Sequence, residues 1–316
     1  MRDILVIKPS SLGDIIHGLL VAEGIRQQMP SVRISWVAGD RFAPLVRASE
    51  TVTGEVFVFE RSGGLPAFMR LIGNVRRKRF DAVLDFHGLA RSGVLAFFAN
   101  ATRKIGRQDA RELSGLACRE RVSLPAHGTF SHAVEILLPF AEALGLKPHL
   151  PERLHFRAPA ARPGSIEPGT LDVSIILFPD TRRPEKQWPH YPELTELLLR
   201  ELPGLKVAWL GLSGPPVPKR AASSEYFIDL RGKVEIQELP GILAKPALVV
   251  GNDSGPLHVA AALQTPTLTL FGPTAARRYA PWPPEQDGNH VMEAPGGDLS
   301  RLLPWMIAER VADLLR

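Results

Sequence analysis

Four segments of this sequence carry side chains whose types and spacing could perform chemistry. They span residues 8–14, 85–92, 178–189 and 251–258, and each follows a short apolar run. Together they supply carboxylates, which can accept a proton, and cations and glycine-flanked backbone, which can bind an anion. These groups predict a site where a hydroxyl loses its proton and an anionic group is bound.

The first segment, residues 8–14, reads KPSSLGD and lies between a predicted strand and a predicted helix. It lacks the G-x-x-x-x-G-K-[ST] and G-x-G-x-x-G patterns, which removes the main support for ATP hydrolysis and for dinucleotide chemistry. Ser10, Ser11 and Asp14 could all cap the helix. Asp14 could also accept a proton from a substrate hydroxyl, and the helix dipole would keep its carboxylate ionised.

The segment at residues 251–258 reads GNDSGPLH and leads from a predicted strand into a predicted helix. Free backbone amides and the positive end of the helix dipole bind phosphate at such a helix start. Gly251 and Gly255 would also let a diphosphate approach the backbone closely. The alternative is that Asp253 or Ser254 only caps the helix. His258, one turn in, is expected to be packed or to support a neighbouring group, without a catalytic role.

The two remaining segments add cations near aromatic rings at further strand ends. Lys186 could neutralise a leaving diphosphate. The alternative is a surface loop in which Trp188 is a buried anchor. In the other segment, Asp85 could simply cap the following turn, and Arg91 could simply be solvated.

The elements that position these segments alternate between strand and helix along the whole chain, which is typical of βαβ units on a parallel sheet. Strands are predicted at residues 4–7, 33–37, 56–59, 82–85, 103–105, 173–177, 206–210, 226–229, 248–251 and 267–270. Helices are predicted at residues 15–28, 65–77, 89–98, 132–144, 192–202, 236–243, 256–263 and 302–315.

Residues 147–170 contain five prolines and are predicted to form an interdomain linker. The sequence therefore predicts two Rossmann-like, doubly wound α/β domains, at residues 1–160 and 161–316. The last helix could pack back onto the first domain. Ligands are expected in a cleft at the carboxyl ends of both sheets.

Composition narrows the class of protein. The chain has 316 residues, 45% hydrophobic and 22% charged, which is ordinary for a folded protein. Its first apolar run covers only residues 4–7, so we expect neither a signal peptide nor a membrane span. A single cysteine, Cys118, excludes an internal disulfide and a multi-cysteine zinc site.

The net charge of +5 favours anionic partners. Basic side chains cluster at residues 76–79, at 103–111 and at 182–183. Each cluster could also be a solvated helix face, which is the common outcome for a charge run. The nearby aromatics Phe97 and Phe98 lie in an apolar helical pattern and are expected in the core, which argues against nucleic acid binding.

Taken together, these segments resemble the ADP-heptose:lipopolysaccharide heptosyltransferases of glycosyltransferase family 9, which are inverting enzymes of the two-domain GT-B fold. The resemblance covers nearly the whole chain, and its first half is most similar to members that add the first heptose to the Kdo region of lipid A. It is carried by residues 8–17, 85–92, 132–135, 186–189 and 251–274.

The resemblance implies that Asp14 is the general base and that Lys186 binds the diphosphate. It implies that the ADP phosphates are held by Asp253, Ser254 and Gly255. We expect two further donor-side residues, Thr181 and His258. On the acceptor side we expect Ser10, Ser11, Gly13, His87 and Arg91.

The implied reaction moves heptose from ADP-heptose to the Kdo or inner-core region of lipopolysaccharide, with inversion and without a cofactor or divalent metal. The first domain would take the acceptor, so the basic clusters at 76–79 and 103–111 are expected to help capture it. The enzyme would then be cytoplasmic and peripheral at the inner face of the inner membrane. Two alternatives stay open: a GT-B nucleotide-sugar epimerase and a non-catalytic protein that binds a nucleotide or another anionic ligand.

Overall fold

The structure, a computed structural model, describes residues 1–160, 171–284 and 288–316. The chain divides into two compact units, Met1–Arg157 and Ala158–Arg316. Each unit contains one six-stranded sheet in which the paired strands are parallel. The predicted doubly wound α/β fold is confirmed.

The first unit has its strands in the spatial order β3-β2-β1-β4-β5-β6. Its strands are β1 Asp3–Ile7, β2 Arg33–Gly39, β3 Val56–Phe59, β4 Arg79–Asp85, β5 Asn100–Arg107 and β6 Glu120–Val122. Its helices are α1 Leu12–Gln28, α2 Ala43–Ala48, α3 Gly64–Arg76, α4 Ala90–Phe98 and α5 Pro139–Ala143. The strand order reverses between β1 and β4, and ligands bind outside the carboxyl ends of parallel strands at such a point.

Helix α1 is enclosed on almost all sides. Thirteen of its 17 residues are buried. A Cβ added at Gly24 would lie 1.9 Å from the carbonyl oxygen of His149, so a later stretch of the chain crosses directly over the helix. The side chain of Gln28 also bonds the carbonyl of Lys147 at 2.9 Å. This cover explains why α1 has no polar face.

The predicted helix at residues 132–144 is wrong over its first half, because only α5 forms. Pro139 has no backbone N–H, so it cannot donate the hydrogen bond that would join it to the preceding turn of a continuous helix, and α5 begins there. Residues 133–138 form turns instead. The apolar spacing that suggested a helix comes from Val134, Ile136 and Leu137, which are buried in the core.

The first part of the predicted linker belongs to the first unit. Phe156 forms an isolated antiparallel bridge with Ser49. The Arg157 guanidinium donates a 2.7 Å hydrogen bond to the Ser49 carbonyl. The remainder of that prediction, at residues 161–170, lies outside the described residues.

The second unit repeats the topology, with the order β12-β11-β10-β7-β8-β9. Its strands are β7 Ile175–Phe178, β8 Val207–Trp209, β9 Phe227–Asp229, β10 Leu248–Asn252, β11 Thr267–Phe271 and β12 Asn289–Glu293. Its helices are α6 Tyr191–Glu201, α7 Lys219–Ala222, α8 Leu239–Leu243, α9 Gly255–Ala262, α10 Ala276–Tyr279 and α11 Pro304–Leu314. The order reverses between β7 and β10.

The last helix, which could have returned to the first domain, contributes Ile307, Ala308 and Val311 to the core of the second unit. Trp188 and Trp209 are fully buried in the same core. Among the residues that the structure describes, no helix is both long and apolar enough to cross a bilayer.

Candidate active site

In the first unit, the loop after β1 carries Asp14 at the third position of α1. Its carboxylate accepts hydrogen bonds from the backbone N–H of Ser11 at 3.1 Å and from the Ser11 hydroxyl at 2.6 Å. This is the capping-box arrangement, in which a side chain at the third helical position satisfies the residue before the helix. The capping alternative considered for Ser11 and Asp14 is thus part of the observed geometry.

Lys8 holds the other side of the same carboxylate. Its Nζ lies 3.2 Å from Asp14 Oδ1, and the Lys8 side chain is 5% exposed whereas that of Asp14 is 43% exposed. Partial burial would raise the pKa of Asp14, but Lys8 and the two hydrogen bonds from Ser11 together hold that pKa well below its ordinary value. Asp14 is therefore an ionised carboxylate with an open side at neutral pH. No role was predicted for Lys8, although a lysine directly after a buried strand was a usable signal.

The turn after β4 is organised by Asp85. This buried carboxylate accepts hydrogen bonds from the backbone N–H groups of His87 and Gly88 and from the Ser92 hydroxyl, each at 3.0 Å. Asp85 therefore has the turn-capping role that the sequence left open. Its bonds aim the His87 backbone back towards the strand end.

His87 is a neutral imidazole in this environment. Burial lowers the pKa of His87 to about 4, and the positive charges of Lys8 and Arg107 act in the same direction. The His87 Nδ1 atom is buried and has no hydrogen-bond partner within the described residues. His87 can therefore serve a substrate hydroxyl as a neutral hydrogen-bonding group.

Arg91 lies at the start of α4 and is exposed. Its guanidinium carbon is 5.6 Å from the centre of the Phe59 ring. Both residues line a cavity of about 230 Å³. Because Phe59 ends β3, this cavity lies at the same carboxyl edge of the sheet as Asp14.

The other two expected acceptor residues flank this edge. Ser10 is half-buried in the loop, and Gly13 is buried in the first turn of α1. Gly13 has no side chain, so only its backbone is available to a ligand. Their contact with an acceptor stays a prediction.

The basic clusters were expected to help capture the acceptor, and the structure does not bring the first of them beside Asp14. Residues 76–79 lie at the amino end of β4, about 20 Å along the strand from its carboxyl end. In the second cluster, Arg107 pairs with Asp109 at 2.7 Å, and Arg103 pairs with Glu120. These pairs neutralise much of the second cluster within the fold.

In the second unit, the segments after β7 and β10 come together, as expected for neighbouring parallel strands. Lys186 Nζ lies 2.5 Å from Asp253 Oδ2, and the two side chains are 13% and 8% exposed. The same carboxylate oxygen accepts a 2.7 Å hydrogen bond from the Thr274 hydroxyl. The Asn252 side chain accepts a 2.9 Å bond from the backbone N–H of Trp188 and so fixes the lysine segment to β10.

Ser254 precedes α9 and is its N-cap residue. Its hydroxyl oxygen is buried, and within the described residues it has no hydrogen-bond partner. Gly255 follows at the first helical position, where the backbone amide points away from the helix. A buried unsatisfied hydroxyl at a helix start is suited to an anion.

The other donor-side predictions are placed as follows. A Cβ added at Gly251 would lie 2.5 Å from the Leu257 side chain, so this glycine is needed for packing rather than for approach of a diphosphate. His258 is buried in the first turn of α9, in keeping with a packed histidine. The Thr181 hydroxyl accepts a 3.4 Å hydrogen bond from the backbone N–H of Arg183.

Two residues of this region were missed from the sequence. Asp180 lies two residues after the end of β7, and its carboxylate accepts hydrogen bonds from the backbone N–H groups of Leu212 and Ser213, at 2.8 and 3.1 Å. Thr274 is the other, through its bond to Asp253. A carboxylate close to the end of a buried strand was a signal for Asp180, and Thr274 stood at the end of the stretch 251–274 that carries the family resemblance.

Within the described residues, no group of three or more His, Cys, Asp or Glu side chains is arranged to hold a metal ion.

Two units, each with a doubly wound sheet of parallel strands and charged segments at the carboxyl edge of that sheet, are typical of the GT-B class. The model of glycosyltransferase family 9 (heptosyltransferase) matches residues 68–301, and the chain belongs to this family. The resemblance stated from the sequence is confirmed. The chain is a glycosyltransferase, and this sets aside the epimerase and the non-catalytic alternatives.

Named relatives agree with this assignment. Lipopolysaccharide heptosyltransferase 1 of Escherichia coli O18:K1:H7 is 28% identical over 313 residues, covering 95% of this chain and 94% of that protein. The solved structure of E. coli heptosyltransferase WaaC with ADP has a TM-score of 0.80 at 24% identity and covers 99% of this chain and 100% of that one. The structure of WaaC with ADP-2-deoxy-2-fluoro heptose has a TM-score of 0.79 at 25% identity and covers 99% of both chains.

Proposed function

We propose that this chain is an inverting, ADP-heptose-dependent transferase whose acceptor is the Kdo or inner-core region of lipopolysaccharide. The relatives named lipopolysaccharide heptosyltransferase 1 support the acceptor class. The complex with ADP-2-deoxy-2-fluoro heptose supports the donor. The observation that carries the proposal is Asp14, an ionised carboxylate with 43% of its side chain exposed at the carboxyl edge of the first sheet.

Asp14 is the proposed general base. Lys8 and Ser11 hold one side of its carboxylate, and the exposed side is free to meet an acceptor hydroxyl. Its low pKa makes it a weak base towards a resting hydroxyl. The proton therefore transfers as the hydroxyl oxygen bonds to the anomeric carbon, because bond formation makes that hydroxyl acidic.

Lys186 and the start of α9 are the proposed diphosphate site. As the bond from the anomeric carbon to the diphosphate oxygen breaks, negative charge grows on the departing ADP. Lys186, the unsatisfied Ser254 hydroxyl and the Gly255 amide would stabilise that charge. In this mechanism the protein supplies the positive charge, so no divalent metal is required.

Asp253 orients Lys186 until the donor arrives. The diphosphate must share the ammonium group with Asp253 or replace it, and the Thr274 hydroxyl keeps a bond to the carboxylate in either case. Thr181 and His258 are proposed at the donor side, and Ser10, Ser11, Gly13, His87 and Arg91 at the acceptor side. The reaction is proposed at the cytoplasmic face of the inner membrane, where the enzyme would be peripheral.

The test is incubation with ADP-heptose and a panel of truncated lipopolysaccharide cores, scored by mass spectrometry. We expect one heptose added to a core that ends in Kdo, and addition at least about 10²-fold slower by the Asp14→Asn variant. Addition to lipid A that carries neither Kdo nor heptose, and to none of the longer cores, would contradict the acceptor. ADP-heptose consumption without any glycosylated product would contradict the transfer itself. A reaction that chelation of divalent ions abolishes would contradict metal independence.

A further inference from the structure

One face of the first sheet is covered by α3, by α4 and by a short 3-10 turn, Ser114–Ala117. Their inner side chains, such as Leu71 and Leu95, fill the core beneath. The outward surface of residues 64–76, 90–98 and 113–117 is here called the outer layer. Seven large hydrophobic side chains of this layer are at least 38% exposed: Leu65, Met69, Val94, Phe97, Phe98, Leu113 and Leu116. The expectation that Phe97 and Phe98 lie in the core is wrong.

This concentration is not shared by the rest of the unit. Within residues 1–157, the other large hydrophobic side chains that are exposed are Met1 and Phe130. Scattered apolar residues on a surface need no explanation, but a contiguous group of them marks an interaction site. The outer layer therefore has the composition of a surface that is covered by a partner.

The backbone just before the 3-10 turn has an unfavourable conformation at Leu113, which is one of these exposed residues. Glu112 and Leu113 have φ angles of 56° and 62°, in the left-handed region that leucine rarely adopts. The Leu113 side chain is nevertheless 80% exposed. Among the described residues, this unfavourable conformation does not bury the Leu113 side chain, so an external contact would account for it.

Cations border the outer layer. Arg76 ends α3, Arg77, Lys78 and Arg79 follow it directly, and all four side chains are exposed. Arg79 is the register partner of Asn100, so this run lies at the same edge of the sheet as the end of α4. Lys104 Nζ bonds the Phe97 carbonyl and lies 5.7 Å from the centre of the Phe97 ring.

We propose that the outer layer docks on an anionic lipid bilayer. Apolar side chains bordered by lysine and arginine match the headgroup region of such a membrane. A nucleic acid fits less well, because five of the seven exposed side chains are aliphatic and cannot stack on bases.

Helix α4 begins at the edge that carries Asp14 and ends at the opposite edge, so docking along it leaves the Asp14 edge open. This proposal rests on the proposed function, because a glycolipid acceptor held in a bilayer is what the enzyme would reach by docking there.

The first test is co-sedimentation of the full chain with vesicles of phosphatidylglycerol and phosphatidylcholine, compared with phosphatidylcholine alone. The test variant combines Phe97→Gln, Leu113→Asn and Leu116→Gln; asparagine tolerates the left-handed conformation, so folding should be kept. The matched control combines Phe130→Gln, Leu212→Gln and Trp305→Gln, which are equally exposed but lie outside the layer. The test variant should lose at least about tenfold in vesicle partitioning, and the control should stay within about twofold.

The charges are tested by Arg76→Gln, Arg77→Gln and Arg79→Gln together, which should flatten the salt dependence of vesicle binding. Equal vesicle binding by the test variant and the unaltered chain would overturn the proposal. So would failure of the unaltered chain to bind anionic vesicles, or tighter binding to a uridine oligonucleotide than to vesicles. A melting curve of each variant separates loss of docking from loss of folding.

An activity assay distinguishes this proposal from the proposed function. With a water-soluble, delipidated acceptor, the test variant should match the unaltered chain in kcat/KM. With the acceptor embedded in vesicles, it should be at least about tenfold slower. If the unaltered chain transfers nothing to the soluble acceptor, the proposed function fails, and the vesicle measurement still decides the docking surface.

Discussion

Each unit of this chain holds a lysine–aspartate pair at the carboxyl edge of its sheet, and the two pairs differ in which partner is open. In the first unit the Asp14 side chain is 43% exposed and Lys8 is 5% exposed. In the second unit Lys186 is 13% exposed and Asp253 is 8% exposed, so the lysine is the more open partner. The same two residue types can thus have two different roles in one reaction. The open carboxylate can accept a proton, and the more open ammonium group can meet an anion.

The substitution with the largest expected effect is Asp14→Asn. The amide cannot take the proton, so turnover should fall by about 10²–10⁴ while ADP affinity changes only a few fold. One hydrogen bond from Ser11 survives, so the helix start should be weakened by no more than about 2 kcal/mol. Steady-state rates, ADP titration calorimetry and a melting curve measure the three effects. Turnover near that of the unaltered chain would leave Asp14 with a capping role alone.

Lys186→Ala tests the second pair. Removing the ammonium group should weaken ADP-heptose binding and lower turnover together, because the charge meets the diphosphate before and during bond breaking. The expected loss in kcat/KM is at least about tenfold, and Lys186→Arg should restore part of it. The control is Arg183→Ala, since Arg183 is exposed and pairs with Glu185 at 2.7 Å. Calorimetry that shows unchanged ADP binding in Lys186→Ala would return this lysine to a surface-loop role.

Lys8→Met sharpens the comparison by removing the buried cation of the first pair. Lys8 lowers the pKa of Asp14 whereas burial raises it, so the variant should have a higher pKa at Asp14. A base is active only when ionised, so the acid limb of the kcat/KM profile should move to higher pH. Measurement of the profile from acid to alkaline pH checks this shift. An unmoved acid limb would show that Lys8 does not tune the base.

His87→Gln should have the smallest effect. The pKa of His87 is lowered to about 4, so the imidazole is neutral across the physiological range, as glutamine is. We expect kcat/KM to change by no more than about fivefold, and the pH profile between 5 and 8 to keep its shape. Loss of a titration step in that range on substitution would show that His87 does titrate in the working enzyme.

The sequence predicted the central strands and the long helices well, because strands covered on both faces are near-continuous apolar runs. Short elements escaped it, including β6, β12, α2 and α10, since three to six residues carry too little periodicity. The helix predicted at 132–144 failed for a related reason. Apolar spacing indicates which residues are buried, and Val134, Ile136 and Leu137 are buried although they lie in turns and not in a helix.

Exposure was the least predictable property. Leu95 and Ala96 of α4 are buried, yet the adjacent Phe97 and Phe98 are 60% and 42% exposed. All four are apolar, so residue type does not distinguish them. Which side of a helix is covered depends on what the rest of the chain packs against it.

The sequence by itself determined the position of Asp14, because a capping carboxylate three residues after Ser11 is a local signal that needs no distant contact. It also determined the parallel sheets that bring strand ends to one edge. Only the tertiary structure decided that Lys186 meets Asp253, 67 residues away along the chain, and that Lys8 is the buried partner of Asp14. The physical reason is that hydrogen bonding at a helix start acts over a few residues, whereas burial and ion pairing depend on the packing of whole strands.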